Sequence, residues 1–451
     1  MKKSLCMLLM TFFAALLFAD TYPVKPGEKI MFLGDSITHS SYYTGLLQLM
    51  LDSRGVPGTN VMNSGIAGGK TTGGLRRIQH DVIDRNPDRV FILFGMNDVG
   101  RGELYRTDSP ENFKQRKAGL DKFSENLKKI IRRLEKEKIT PVLMTPTAYD
   151  QYQKDGKSDR CNEPGLSDIA QIVRATAKEE NLDLIELHPF MTDALKKHPE
   201  MRLCGNDLVH PTATGHTLMT ALIAEQIGLA GSVAEVTVGK DGKTVSKFAE
   251  ISELQITPGK ISFRYAPERM AVALTGKFAD VEKIYPFSEK FNREILKITS
   301  LAEGSYKLYA NGAELGSFTA ADFAKGIDLS RLDTPNRKRA EKAFNAVKEI
   351  RSINSTLRYL EQCRQIAFGS KFFTGTPDPK NFDAVTETLE KWRESYGPKW
   401  PYREYYGNVI DSYRKNAPKE AEYFDALENT RIQLEKDTRP EAYIITVEKI
   451  R

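Results

Sequence analysis

The 451-residue sequence has few cysteines and histidines, four and six respectively. Disulfide-rich secreted scaffolds contain far more cysteine per residue, so that class of small domain is excluded. The histidines and cysteines are also scattered, without the paired spacing that zinc ligands show. We therefore predict no metal site.

The sequence has no long apolar segment after residue 18. At the N-terminus, Lys2 and Lys3 precede an apolar run over 5–18 and the small residue Ala19. This pattern predicts a signal peptide over 1–19, because the run is too short to span a bilayer comfortably. An uncleaved N-terminal anchor is the alternative. We expect a soluble protein, secreted or periplasmic, with no stable membrane insertion.

The remaining cysteines are interpreted in that compartment. Cys161 and Cys204 are both predicted in loops, and an exported protein can form disulfides, so whether the two are bridged is left open. Cys363 lies in a helical pattern and is predicted to be a buried thiol.

Charge of one sign is not concentrated anywhere in the chain. The 66 basic and 60 acidic residues are interspersed, and the net charge of +6 falls to +4 when Lys2 and Lys3 leave with the signal peptide. A nucleic-acid-binding surface needs a basic stripe, so we predict no nucleic-acid partner. The sequence leaves the oligomeric state undetermined.

From residue 29 to about 228, apolar runs alternate with helix-like stretches. The predicted strands are Ile30 to Leu33, Asn60 to Met62, Val90 to Phe94, Pro141 to Met144 and Leu184 to Leu187. Such a βαβ series predicts a five-stranded parallel sheet covered by helices on both faces, a flavodoxin-like three-layer αβα domain over 20–230.

The second half of the chain changes character. Short β-prone runs and the hairpin signal Asn311-Gly312 predict a small antiparallel β-sandwich over 231–332. Thr334-Pro335 then predicts the start of a helical region over 333–440. We hypothesise that a last strand within 441–449 returns to the sandwich, which would make the helices an insertion. The aromatic residues of 392–406 are predicted to pack between helices, with a sugar-stacking surface as the alternative.

Four short segments follow predicted strands and therefore meet at one edge of the sheet. They are Gly34-Asp35-Ser36, the glycine-containing segment 63–68, Gly95-Met96-Asn97-Asp98, and Asp207-Leu208-Val209-His210. The carboxyl ends of parallel strands are where open α/β sheets bind ligands. Ser36 alone would be interpreted as a turn or helix-cap residue; together the four segments predict a catalytic site.

Each residue type suits acyl transfer. His210 can take the proton of Ser36, and Asp207 can orient the imidazole. The backbone N–H groups of Ser36 and Gly68, with the Asn97 side-chain amide, can stabilise the oxyanion.

These segments, in this order, resemble the SGNH or GDSL hydrolase superfamily of esterases and lipases. The resemblance covers roughly residues 28 to 228. It implies Ser36 as the nucleophile, Asp207 and His210 as its triad partners, and Ser36, Gly68 and Asn97 as the oxyanion hole. After the nucleophile this sequence has His39 where a small residue is commoner, and whether His39 and Arg101 touch substrate is left open.

The four segments therefore predict a serine esterase that needs no cofactor. The resemblance, together with the predicted export, implies that it removes small acyl groups, acetyl above all, from an acylated carbohydrate. A lipase, lysophospholipase or thioesterase of the same superfamily is the first alternative. The second is a non-catalytic glycan-binding protein whose β and helical parts carry the function.

Overall fold

The structure of the protein is a computed structural model that describes residues 23–100, 102–153 and 163–450. The predicted signal peptide, Cys161 and Arg101 lie outside these residues. Whether Cys161 and Cys204 are bridged therefore stays open; Cys204 is buried and has no disulfide to a cysteine within the described ranges.

The first part of the chain is a three-layer α/β domain. Its five strands, all parallel, lie in the order β2-β1-β3-β4-β5, which is the flavodoxin-like order predicted from the βαβ series. Four of them are buried over most of their length, as expected for a sheet covered on both faces. The strands are β1 Lys29–Gly34, β2 Asn60–Gly65, β3 Arg89–Leu93, β4 Thr140–Met144 and β5 Asp183–Ile185.

Helices cover the two faces of this sheet. They are α1 Ser36–His39, α2 Tyr42–Ser53, α3 Thr71–Asp81, α4 Glu103–Arg106, α5 Pro110–Lys136, α6 Glu163–Glu179, α7 His188–Lys197 and α8 Ala213–Gln226. Side-chain caps fix several of their starts. Ser109 accepts a hydrogen bond from the backbone N–H of Asn112 at the start of α5, and Thr212 accepts one from Gly215 at the start of α8.

Two further sheets follow. One has four strands in the order β13-β10-β6-β7, and the other has five in the order β12-β11-β14-β9-β8. Their bounds are β6 Ala234–Val238, β7 Thr244–Lys247, β8 Ala249–Thr257, β9 Lys260–Pro267, β10 Glu294–Ile298, β11 Ser305–Ala310, β12 Ala313–Thr319, β13 Ile327–Asp328 and β14 Tyr443–Lys449, with the short helices α9 Phe287–Phe291 and α10 Ala320–Lys325 between strands.

The expectation of purely antiparallel pairing is wrong at one place. Strands β6 and β10 pair in parallel. Parallel neighbours require a crossover connection, and here the chain between them builds the β8-β9 hairpin of the other sheet. The last strand, β14, pairs with β11 on one side and β9 on the other, at the centre of the five-stranded sheet.

Four helices separate β13 from β14: α11 Pro335–Phe368, α12 Phe382–Glu394, α13 Arg403–Asn416 and α14 Glu420–Asp437. The side chain of Thr334 caps α11 and Pro335 occupies its first turn, as predicted. The apolar face of α11 packs against α2. Phe344, Val347 and Ile350 belong to the same buried core as the parallel sheet. Helix α11 of the insertion therefore packs directly against the first domain and shares its core.

Cys363 is buried in a separate small core of the inserted helices, as predicted. Within the described ranges, no helix is both long and apolar enough to cross a membrane.

Candidate active site

Ser36 lies at the sharp turn between β1 and α1. The preceding residue, Asp35, accepts a hydrogen bond at 2.9 Å from the backbone N–H of Ile37 through its side chain and so caps the short helix. Ser36 is the first residue of that helix. The capped turn fixes the serine at the carboxyl end of β1, where the sequence predicts it.

The loop over 203–212 holds His210. The backbone N–H of Gly205 donates to the carbonyl of His210 at 2.8 Å, and that of Thr212 donates to Leu203 at 2.9 Å, so the loop closes on itself. Leu208 has a left-handed backbone, with φ of +61°, which is unusual for a residue with a side chain. This conformation was not predictable from the sequence, and strained backbone of this kind is often found at functional loops.

Ser36, His210 and Asp207 form one line of hydrogen bonds. The Oγ atom of Ser36 is 2.8 Å from Nε2 of His210, and Nδ1 of His210 is bonded to the carboxylate of Asp207. The side chains of His210 and Asp207 are 42% and 37% exposed, so a dissolved substrate can reach them. The three residues predicted to act together are therefore brought together by the fold.

The carboxyl of Asp207 is kept ionised. Partial burial acts to raise its pKa, but the hydrogen bonds from the His210 ring and from the backbone N–H groups of His210 and Val209 hold it well below its usual range. The two backbone bonds, 3.0 and 3.1 Å long, also fix the orientation of the carboxylate. Asp207 thus carries a negative charge beside the imidazole throughout the neutral pH range.

Gly68 and Asn97 lie on the two loops that flank Ser36. Gly68 adopts a left-handed backbone with φ of +71°, a conformation that glycine adopts without strain. The amide nitrogen of Asn97 donates to the carbonyl of Gly69 at 2.9 Å and lies 3.5 Å from the Asp35 carboxylate. The Asn97 side chain is therefore anchored to the Gly68-Gly69 turn beside the serine.

Gly65, at the end of β2, allows α1 to lie against that strand. A Cβ atom there would be only 2.1 Å from the backbone nitrogen of His39. His39 itself is buried, and its Nδ1 accepts a long hydrogen bond of 3.2 Å from the backbone of Ala67. Burial, and then the charges of Arg358 and Arg77, lower the pKa of His39 to about 3. His39 is therefore neutral, and its hydrogen bond to Ala67 holds the loop that carries Gly68.

Arg77 is a supporting residue that sequence reasoning missed. Its guanidinium is buried and donates to the carbonyl of Gly34 at 3.0 Å and to that of Ser64 at 2.8 Å, at the ends of β1 and β2. The same group is ion-paired with Asp81 at 2.6 Å. An arginine on a helix is usually exposed, so nothing in the sequence indicated this position.

The inserted helices also reach the neighbourhood of the site. The ring of Tyr359 on α11 packs edge-on against His39, with centroids 4.8 Å apart. The guanidinium of Arg351 lies 4.2 Å from the centre of the Tyr42 ring, and that ring contacts the buried His216. The sequence suggested no contact between α11 and the catalytic edge, because neither position has a recognisable motif.

Comparison with known proteins supports the interpretation of the first domain. The GDSL-like Lipase/Acylhydrolase family model matches residues 32–218. An acetylxylan esterase from Geobacillus stearothermophilus is 27% identical over 226 residues, which are 46% of this chain and 96% of that protein. The uncharacterized lipoprotein YqeF of Bacillus subtilis (strain 168) is 37% identical over 86 residues, 19% of this chain and 32% of that protein.

One solved structure matches almost the whole chain. A gut microbial diltiazem-metabolizing enzyme superposes with a TM-score of 0.82 and 24% sequence identity, covering 95% of this chain and 99% of that one. The arrangement of the parallel sheet, the two further sheets and the inserted helices is therefore a fold that a second protein shares.

Proposed function

We propose that the protein is an exported serine esterase that removes acetyl groups from carbohydrate, and that its N-terminal domain is a GDSL-like lipase/acylhydrolase of the SGNH hydrolase superfamily. The observation that carries the proposal is the hydrogen-bonded line of Ser36, His210 and Asp207. A serine is a weak nucleophile until a base takes its proton, and here the base lies at hydrogen-bonding distance.

In the proposed reaction, the Oγ atom of Ser36 attacks the carbonyl carbon of the ester while Nε2 of His210 takes the serine proton. The tetrahedral intermediate collapses as His210 returns that proton to the leaving sugar hydroxyl, and an acetyl-serine remains. His210 then takes a proton from a water molecule as that water attacks the acetyl carbon. The second tetrahedral intermediate collapses as the bond to Oγ breaks and His210 returns the proton to Ser36, which releases acetate. Asp207 stabilises the imidazolium in both steps but does not itself take the proton.

The developing oxyanion would be stabilised by three donors: the backbone N–H groups of Ser36 and Gly68, and the amide of Asn97. The capped turn at Asp35 orients the first, and the left-handed turn at Gly68 orients the second. Because Asn97 is already anchored to Gly69, its amide would change orientation little during the reaction.

The substrate class is supported by independent observations. The acetylxylan esterase is similar over nearly its full length, and the sequence predicts an exported protein. Because His210 and Asp207 are partly exposed, the site suits an ester carried on a bulky polymer better than a substrate that the protein must enclose in a pocket.

Hydrolysis of aryl esters tests the chemistry. Wild-type protein is expected to release the aryl alcohol from an aryl acetate, and Ser36→Ala to lose this activity with an unchanged melting temperature. Retained activity in Ser36→Ala would refute the mechanism. An aryl decanoate separates the superfamily alternatives: acetyl specificity predicts a much higher kcat/KM for the acetate, whereas preference for decanoate would indicate a lipase or thioesterase instead.

A further inference from the structure

The segment over 392–406 has an unusual composition. It contains both tryptophans of the chain and four tyrosines, but no leucine, isoleucine, valine or methionine. Helix-packing cores are built mainly from aliphatic side chains. We refer to its six rings as the aromatic patch: Trp392, Tyr396, Trp400, Tyr402, Tyr405 and Tyr406.

The aromatic patch lies at the surface of the inserted helices. Tyr396, Tyr402 and Tyr405 are 52%, 61% and 47% exposed. The buried core between these helices is instead formed by other residues, among them Leu389, Ile410 and Tyr413. The prediction that the aromatic residues pack as a core between helices is therefore wrong, because aliphatic residues elsewhere on α11, α12 and α13 fill that space.

The rings of the aromatic patch order one another. Trp400 stacks on Tyr396 with centroids 4.3 Å apart and on Tyr406 with centroids 5.1 Å apart, the ring planes being inclined by only 15° and 6°. Trp392 closes the stack edge-on against Tyr406 at 4.9 Å. Exposed side chains that are mutually stacked lose little conformational freedom when a ligand binds, which favours affinity.

The aromatic patch is connected to the candidate active site. Tyr405 contacts Tyr406 at 5.0 Å. Helix α13, which carries both of these tyrosines, packs against α11, which carries Tyr359. Tyr359 in turn contacts His39, three residues from Ser36 in the sequence. The helix that carries part of the aromatic patch is therefore packed against a helix that reaches the turn of the serine.

The surrounding side chains indicate what could bind there. The exposed residues between and beside the rings are polar and of both signs, including Lys399, Glu404 and Asn408. A flat ring beside hydrogen-bonding groups matches a sugar, whose C–H face packs on the aromatic ring while its hydroxyls bond to polar side chains. An apolar helix would instead need a continuous apolar groove, whereas charged residues lie between these rings.

We propose that the aromatic patch binds the carbohydrate chain of the substrate, several sugars away from the ester that Ser36 attacks. This inference rests on the proposed function, since it extends the same substrate beyond the catalytic edge. It assigns to the inserted helices the task of retaining a polymeric substrate. Small esters, which do not reach the patch, gain nothing from it.

Binding can be measured without turnover in full-length Ser36→Ala, by affinity electrophoresis in gels that contain acetylated xylan, acetylated glucomannan or pectin. Three further proteins carry additional changes in this background: Tyr396→Ala with Tyr405→Ala, Tyr396→Phe with Tyr405→Phe, and Phe424→Ala, an exposed aromatic residue of α14 outside the patch. The double change to phenylalanine keeps the aromatic rings and removes only the hydroxyl groups, so it separates stacking on the rings from hydrogen bonding by the hydroxyls. Equal melting temperatures establish that all four proteins are folded.

We expect at least one polysaccharide to retard Ser36→Ala, with Kd about tenfold higher for the alanine pair and within about twofold for the two controls. Equal retardation of the alanine pair, equal weakening by the phenylalanine pair, or no retardation of Ser36→Ala by any of the polysaccharides would overturn the proposal. A separate measurement tests the proposed function: if the protein with Ser36 intact does not hydrolyse an aryl acetate, the proposed function fails, whatever the electrophoresis shows.

Discussion

Arg358 of α11 binds both carboxylate oxygens of Asp81 at the end of α3, through three hydrogen bonds of 2.8 to 2.9 Å from its two terminal nitrogens. The two residues are 277 positions apart. Both are buried, and Asp81 also pairs with Arg77, which in turn donates to the carbonyl of Gly34 just before the catalytic turn. The inserted helices are thus tied through buried charges to the strand that presents Ser36.

Replacing Arg358 tests this connection. Arg358→Met leaves Asp81 with less compensating charge in a buried site, and breaking such a pair typically costs about 3 kcal/mol or more. The apparent melting temperature of the intact protein should fall by roughly 5–10 °C. The control is Lys117→Met, which removes an exposed pair with Asp121 and should change the melting temperature by no more than about 2 °C. Equal small effects of both changes would contradict the account.

Asp207→Asn tests the orientation of His210. The amide can still accept the two backbone hydrogen bonds, but it lacks the charge that stabilises the imidazolium and disfavours the required tautomer. We expect kcat for an aryl acetate to fall by a factor of about 10³–10⁴ while KM changes little. The steady-state rates of Asp207→Asn and Ser36→Ala, measured together, check this. A loss below tenfold would mean that Asp207 does not act on His210.

Asn97→Ala tests the oxyanion hole. Loss of one donor should lower kcat by a factor of about 10²–10³. Asn112→Ala is the matched control: it removes the same side-chain amide from a half-buried position in the first turn of α5, where that amide donates to the carbonyl of Thr107. It should leave kcat within about twofold. If Asn97→Ala raises KM but leaves kcat unchanged, the amide contacts the ground-state substrate and is not an oxyanion donor.

The buried carboxyl of Glu294, at the start of β10, should make the stability of the protein depend on pH. Burial, opposed by a hydrogen bond from Tyr265, raises the pKa of Glu294 to about 7. From about pH 4.5 to 7 the unfolded chain therefore releases this proton while the folded protein keeps it, so stability falls as pH rises.

Comparison with Glu294→Gln isolates that one group, since all other titrating groups are common to both proteins. The stability of wild type relative to the variant should fall by up to about 3 kcal/mol between pH 5 and pH 8. Melting temperatures of both proteins across this range measure the effect. A difference that is constant with pH, or that increases toward pH 8, would contradict the assignment.

The catalytic edge was predictable because strong local signals coincide there. Gly34-Asp35-Ser36 ends an apolar strand, and Asp207 and His210 sit three residues apart in a loop. The strand order then follows from general rules for βαβ units, without knowledge of side-chain contacts. Such rules place loops at the same edge even when they are far apart in sequence.

What the sequence did not predict depends on long-range packing. Arg77, Asp81 and Arg358 are charged residues on helices, and local pattern analysis assigns such residues to the surface. The aromatic patch was assigned to a core for the opposite reason, because apolar residues are expected inside. The burial of Arg77, Asp81 and Arg358 depends on the contact of α11 with α3, which joins residues 277 positions apart, and the exposure of the aromatic patch depends on how α11, α12 and α13 pack together.

Removal of acetyl groups from a carbohydrate polymer by Ser36 can be tested directly. Acetate release from a panel of acetylated polysaccharides is measured with the mature protein and with Ser36→Ala. We expect release from at least one polymer, and no release above background with Ser36→Ala. Aryl acetate turnover without acetate from any polymer would contradict the substrate, and equal acetate release by both proteins would contradict the catalytic role of Ser36.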